Sequence, residues 1–276
     1  MKLALKKKTL TFIFIMVSLI VTAGIFIGIS ITRDLPHATP GPAAERLTNK
    51  IENYINLTAW KDMQAISFRF LPADRFHLYD RKRRLALVEF LTSDAKGENQ
   101  PVEEASIKVW FKLDGMEGIV EKDGKEVSDE QEKQSLIRKA YEAHINDIFW
   151  LNPFATLRAP GAVRRLSDDG GLLVTYESGG VTPGDSYLIY ADDNGKPEKW
   201  LLWTQAIPAR GIEFTFEDWT EFSNGLRLSR LHSSFLRDVT TDEIQVFPSF
   251  PPQGQSDPFA PLLERIAKKK ETSVED

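Results

Sequence analysis

Between Lys8 and Arg33 no residue is charged, and residues 10–31 are almost all Ile, Phe, Val, Leu, Ala, Gly, Ser or Thr. A helix rises about 1.5 Å per residue, so about twenty residues cross the roughly 30 Å hydrocarbon core of a bilayer. This run reaches that length. A soluble helix with no polar face would need burial all round. A cleaved signal peptide would share the basic start, Lys2, Lys6, Lys7 and Lys8, but its apolar core spans only about 7–15 residues and ends in small residues at the cut. The nearest small candidates, Ala38 and Ala43, lie beyond Arg33, Asp34 and Pro36. The expectation is an uncleaved transmembrane helix over residues 10–32, preceded by a basic cytoplasmic start, residues 1–9. Four lysines precede the span and Arg33 beside Asp34 follows it, which keeps the N-terminus cytoplasmic and exports the rest.

Behind the span, residues 33–43 (RDLPHATPGPA) are rich in Pro and Gly and read as a semi-extended linker. Roughly 240 residues remain, enough for one domain with a substantial core. The whole chain carries a net charge of −5; setting aside the four N-terminal lysines leaves the exported part at −9, which argues against nucleic acid as a partner. There is no cysteine. Disulfides, thiolate metal sites, a cysteine nucleophile and a lipid-modified cysteine are all excluded.

Residues 43–58 carry Leu47, Ile51, Tyr54, Ile55 and Leu57 at near-helical spacing and predict an amphipathic helix. The period then becomes two: Ile66, Phe68 and Phe70 alternate with Ser67 and Arg69. Strands are expected over 66–70, 76–80, 85–91, 107–113, 118–122, 172–177, 186–191, 199–206, 212–222, 226–236 and 243–247. Asp123-Gly124, Asp193-Asn194-Gly195 and Asn224-Gly225 supply residues that accept positive φ, as tight hairpins require. Short connections make the neighbours antiparallel, and this many strands should curl. A helix capped by Ser128, with Leu136, Ile137, Ala140, Tyr141, Ile145, Ile148 and Phe149 as its stripe, interrupts the series and would cover the concave face. A Pro-rich loop, a short helix from Pro258 to about Lys270 and a charged, mobile tail complete residues 248–276. The fold class is therefore α+β, mainly β: a curved antiparallel sheet of about eleven strands over residues 44–247, with helices on its concave side.

No catalytic signature emerges. His37, His77, His144 and His232 do not recur at metal-ligand spacing. His144 borders an apolar stripe and reads as a packed ring; His77 and Asp80 point to opposite faces of one strand and cannot form a dyad there. A hydrolase would require a pair among the histidines and the acids to converge in space. Arg81, Lys82, Arg83 and Arg84 form a basic cluster that suits a solvated turn or an anionic group. Asp192-Asp193-Asn194-Gly195 resembles the start of a calcium loop, but the later bidentate acid is missing and a turn is expected. No metal, cofactor or catalytic residue is assigned. Large aromatics stand out instead: Phe68, Phe70, Trp110, Phe111, Phe149, Trp150, Phe154, Trp203, Phe214, Phe216 and Trp219. Bulky rings fill any curved core. A concave face lined with them also suits an acyl chain or apolar peptide, because removing apolar area from water is the main source of affinity for either.

The element order, together with FHLYDRKRR, YEAHINDIFWLNPFATLRAPG and DSYLIYADDNGKPEKWLLW, resembles the bacterial lipoprotein carriers LolA and LolB. That resemblance implies an antiparallel half-barrel plugged by helices, a place on the periplasmic face of the bacterial inner membrane, and non-catalytic binding of a lipid or lipoprotein acyl chain. The ligand-binding residues would be Phe68, Phe70, Trp110, Phe111, Phe149, Trp150, Phe154, Trp203, Phe214 and Phe216. The chain departs from the family in its helical tether, which favours a fixed binder over a shuttle. The other class open at this point is an interaction or scaffold module whose sheet is a closed core.

Overall fold

The computed structural model describes residues 32–94, 103–179, 181–205 and 210–272, so all but the last residue of the expected membrane span lies outside the described residues. Among the described residues no helix is long and apolar enough to cross a membrane. The strands are β1 (Ala38–Thr39), β2 (Ala65–Phe70), β3 (Arg75–Asp80), β4 (Leu85–Asp94), β5 (Glu103–Lys112), β6 (Gly118–Lys122), β7 (Lys125–Glu126) and β8 (Ala162–Ser167). They continue with β9 (Leu172–Tyr176), β10 (Ser186–Ala191), β11 (Pro197–Trp203), β12 (Ile212–Thr215), β13 (Glu217–Glu221), β14 (Arg227–His232) and β15 (Val239–Phe247). The helices are α1 (Pro42–Tyr54), α2 (Leu57–Asp62), α3 (Glu130–Leu151) and α4 (Ala260–Thr272).

The fold is mainly β, in two antiparallel sheets that form no closed barrel. One sheet has the order β1-β8-β9-β10-β11-β12 and the other β13-β14-β15-β2-β3-β4-β5-β6-β7. This differs from a single sheet of about eleven strands. The stretch read as one strand, 212–222, divides at Phe216: β12 pairs with β11, whereas β13 pairs with β14. Two backbone bonds stitch the break, Phe216 N–H to Glu198 O at 2.7 Å and Thr215 N–H to Ser233 O at 3.0 Å. Strand β8, AVRRLS, was not expected because it lacks an alternating apolar face; its residues are mostly half-buried at the sheet edge.

The expected first helix is two. Asn56 adopts φ 54°, ends α1, and caps α2 by accepting from Ala59 N–H at 3.2 Å. Helix α3 is capped one residue later than Ser128 predicts: the Asp129 side chain accepts from Glu132 N–H at 2.7 Å. The hairpin turns hold as read. Asp123 and Gly124 have φ 51° and 74° between β6 and β7. In 192–195 the Asp192 side chain accepts from Asn194 and Lys196 N–H, which makes this segment a turn.

Period-two alternation sorts the side chains onto two faces. The inner face meets α1 and α3 in two clusters. The larger joins Ile66, Phe68, Phe70, Trp200 and Phe214 to Ile51 and Trp150; the other joins Val88, Val109 and Phe111 to Ile137 and Ala140. On the outer face of the nine-stranded sheet, Leu78, Leu85 and Leu87 are covered by Phe250, Phe259 and Leu262, so the C-terminal segment and α4 are packed onto the domain. The outer face of the six-stranded sheet, Leu173, Leu188, Leu201 and Trp203, meets Ala38. Residues expected to be a free linker therefore run across this face. Arg33 N–H donates to Arg210 O at 3.0 Å, Trp203 Nε1–H donates to Arg33 O at 2.8 Å, and Ala38–Thr39 pair with β8.

Candidate functional site

Eight of the ten expected binding residues reach the inner face. Phe68, Phe70, Trp150, Phe154, Phe214 and Phe216 are buried in one cluster with Phe149 half-buried against it, and Phe111 lies in the neighbouring one. Trp110 and Trp203 do not. Adjacent residues on a strand point opposite ways, so Trp110, next to Phe111, turns to the outer face beside α4, and Trp203 turns to the outer face beneath Arg33. Trp200, which the aromatic list omits, is the centre of the inner cluster. It is fully buried, and its ring lies 5.3 Å from Trp150, 5.8 Å from Phe149, 5.2 Å from Tyr187 and 5.2 Å from Phe216. Parity with Leu202 and the facing Phe214 could have found it.

The inner face is filled by its own rings rather than open. Phe154 and Phe216 sit 5.0 Å apart, and Trp150 meets Phe214 at 5.1 Å. Its polar groups are incompletely paired. The indole N–H of Trp200, both amide atoms of Asn152, Nδ1 of His232 and the hydroxyl of Thr241 are buried without a hydrogen-bond partner. Each unmade bond of this kind costs about 1–3 kcal/mol. His232 Nε2 donates to Trp150 O at 3.0 Å, and burial lowers its pKa to about 4, so the ring is neutral.

A second group lies between β3 and α3. Arg75 donates through Nε and Nη2 to the two carboxylate oxygens of Asp147, at 2.7 and 2.8 Å. His77 Nε2 is 2.8 Å from Asp147 Oδ2, and His144 Nδ1 is 3.4 Å from His77 Nδ1. His77, His144 and Asp147 are fully buried. Desolvation lowers the pKa of His77 and takes that of His144 to about 3; for His77 it outweighs the opposing pull of Asp147. Burial pushes the Asp147 carboxyl up, but its bonds to His77 and Arg75 prevail and hold it below the usual range. The bonding pattern assigns the protons. His144 donates to His77, His77 donates to Asp147, and His144 Nε2 is left without a partner.

The convergence that a hydrolase would need is thus present, through Asp147 rather than Asp80. Asp80 instead accepts from Arg83. The pair is enclosed: Phe68 stacks on His77 at 4.7 Å, Tyr79 meets His144 edge-on at 4.9 Å, and the remaining partner of Asp147 is Asn146. No hydroxyl is bonded to the cluster among the described residues. Residues 144 and 147 share one helical face, and 75 and 77 share one strand face, so each half was legible; their meeting across 70 residues was not.

The other expected features resolve as turns. Arg81 bonds to Trp60 O and lies over the Trp60 ring, Arg83 bridges Asp80 and Asp257, and Arg84 holds Asp114 with two bonds of 2.8 and 2.9 Å. His37 is exposed beside Asp168 at 3.3 Å. Among the described residues no three His, Cys, Asp or Glu side chains are placed to hold a metal ion. A cleft of about 540 Å³ opens where the sheets part, lined by Arg33, Glu213, Thr215, Glu217, Ser233 and Phe235. Charged and hydroxyl side chains share its wall with Phe235. No family model matches the chain, and no curated protein is significantly similar to it.

Proposed function

We propose that the chain is a membrane-tethered periplasmic protein that binds a lipid or lipoprotein acyl chain, without catalysis, between its inner sheet face and helix α3. In this reading the two sheets, joined at Phe216, act as an open half-barrel and α3 is its plug. What supports it is the interface between them: interlocked aromatics around Trp200, interrupted by unpartnered polar atoms at Trp200, Asn152, His232 and Thr241. Such an interface is less stable than an apolar core of the same size, and the plug can exchange for an apolar chain at lower cost. An acyl chain would replace the α3 contacts of Phe149 and Trp150 with contacts of its own. The enclosed His77 cluster fits a positioning role, holding α3 to β3 through Arg75 and Asp147.

The test uses the full chain in detergent and a fatty acid bearing a diazirine near its methyl end. Photolysis should label peptides from β11 and the C-terminal half of α3, and unlabelled phospholipid should compete. Labelling confined to residues 10–31 would sink the binder. The second reading, an interaction module with a closed core, is favoured by the complete burial of Phe68, Phe214 and Trp200. It predicts no interior labelling at any lipid concentration.

A further inference from the structure

Among the described residues seven large apolar side chains are exposed, and six of them gather at one end of the strands. Phe235 and Leu236, 65% and 50% exposed, lie in the connection between β14 and β15. Leu71 is in the β2–β3 turn and Val181 in the β9–β10 connection. Leu91 is near the end of β4, and Leu35 follows Arg33. The pairing registers within each sheet, and the cleft that Arg33 lines together with Ser233 and Phe235, put these positions at the same rim. His232 faces Val239, Thr241 faces Phe70, Phe70 faces Arg75, and Ser186 faces Trp203, beside which Arg33 is bound. The seventh, Leu263, is on helix α4. Exposed apolar residues scattered singly need no explanation; six gathered on one rim mark a surface that meets something apolar.

The chain itself indicates what that is. The uncharged run of residues 10–31 ends one residue before Thr32 and two before Arg33. Arg33 is fixed to this same rim by its backbone N–H and C=O. If the run spans a bilayer, no slack remains between hydrocarbon and rim, since each residue covers at most about 3.3–3.6 Å. The charges at the rim are of both signs, the exposed Arg33, Arg210 and Arg237 standing with Asp34, Asp74, Glu217 and Asp238, so the apolar side chains carry the interaction.

We infer that this rim rests on the lipid surface from which the chain emerges, with Phe235 and Leu236 inserted among the acyl chains. The inference rests on the membrane-anchor reading of residues 10–31 and adds an orientation: the turns at the far ends of the strands, including 81–84 and 192–195, point away from the bilayer.

The chain contains no cysteine, so single cysteines can be introduced cleanly. Full-length Phe235→Cys, Leu236→Cys, Asp193→Cys, Asn224→Cys and Ala23→Cys variants, each carrying an environment-sensitive fluorophore, are reconstituted in phosphatidylcholine vesicles with or without brominated lipid. Labels at 235 and 236 should shift to the blue and lose at least half their intensity to brominated lipid. Those at 193 and 224 should change by less than a tenth, and the label at 23 should be quenched most deeply. Quenching at 23 with water-exposed labels at 235 and 236 overturns the inference while leaving the anchor intact. Shallow quenching at 235 and 236 with none at 23 overturns the anchor and keeps the docking rim. Water-exposed labels at 235 and 236 that become protected only when a second copy is crosslinked there overturn it in favour of self-association.

Discussion

Both ends of the strands carry ion pairs, Arg69 with Asp74 and Glu243 at the near rim among them, but they differ in the apolar side chains left exposed. At the far rim, charges are wired into the fold: Arg83 joins buried Asp80 to Asp257, Arg84 holds Asp114, Arg81 caps the carbonyl of Trp60, and Arg227 bonds to Tyr54 O and Glu221. At the near rim, Phe235, Leu236, Leu71 and Val181 stand in solvent without apolar neighbours to cover them. The first arrangement is explained by stability alone. The second adds little to stability, and so points outside the molecule.

Acid should expose the contrast most. His77, His144 and His232 are buried and neutral on the inner face, whereas the histidine at the far rim, His37 beside Asp168, is exposed. In the unfolded chain each ring takes a proton below about pH 6.5, but folded His232 resists to about 4 and His144 to about 3. Stability is therefore complete above about 6.5 and declines as pH falls toward 4, on the order of 2–3 kcal/mol for each such ring. Chemical unfolding of the full chain in detergent across this window gives the magnitude. Hydrogen exchange should show α3 and β3 opening before the 81–84 turn; simultaneous loss would break the comparison.

Asp147→Ala comes next, since it strips the buried partner from both Arg75 and His77. A loss of about 3–5 kcal/mol is expected from unfolding midpoints. Arg83→Ala probes the opposite rim by leaving Asp80 buried without its counter-charge, with an expected loss of about 3 kcal/mol. If it is neutral, that rim is not held by its charges. Gly195→Ala should lower stability by about 1–3 kcal/mol, because Gly195 has φ 87° and an added Cβ would stand 2.5 Å from the Lys50 carbonyl carbon and oxygen. Thermal melts of the variant provide the check. The smallest effect is expected from Phe235→Ser with Leu236→Ser, within about 0.5 kcal/mol of the parent. A larger loss would mean that these side chains serve the fold rather than an external surface.

Much of the sheet was legible because burial on one face imposes a period of two, as in Ile66, Phe68 and Phe70. The same rule separates Trp110 from Phe111 and turns Trp203 outward, so parity, rather than aromatic character alone, decides which rings reach the inner face. Other features needed three dimensions. Nothing local marks Asn56 as left-handed within an amphipathic stretch, or β8 as a strand when its centre is Arg164-Arg165. The linker composition of residues 33–43 suits solvent, yet an unclaimed apolar outer face of Leu173, Leu188 and Leu201 offered the first half of it a place to lie. The Arg75–Asp147 link joins residues 72 apart in sequence, a meeting set by how α3 crosses the sheet.

The outermost strands of the two sheets have a further consequence. One sheet begins at β1 and the other ends at β7, each only two residues long, and the break between the sheets is stitched at Phe216. On the β1 flank only Leu166 and Ser167 of β8 are paired, so the rest of that strand is an open edge, and it carries Arg164 and Arg165, the first of them tied to Glu45. Charged side chains on such an edge disfavour its pairing with a strand of another molecule. Molecules crowded side by side in a plane would meet at this edge through like-charged arginines, which opposes zipping between them.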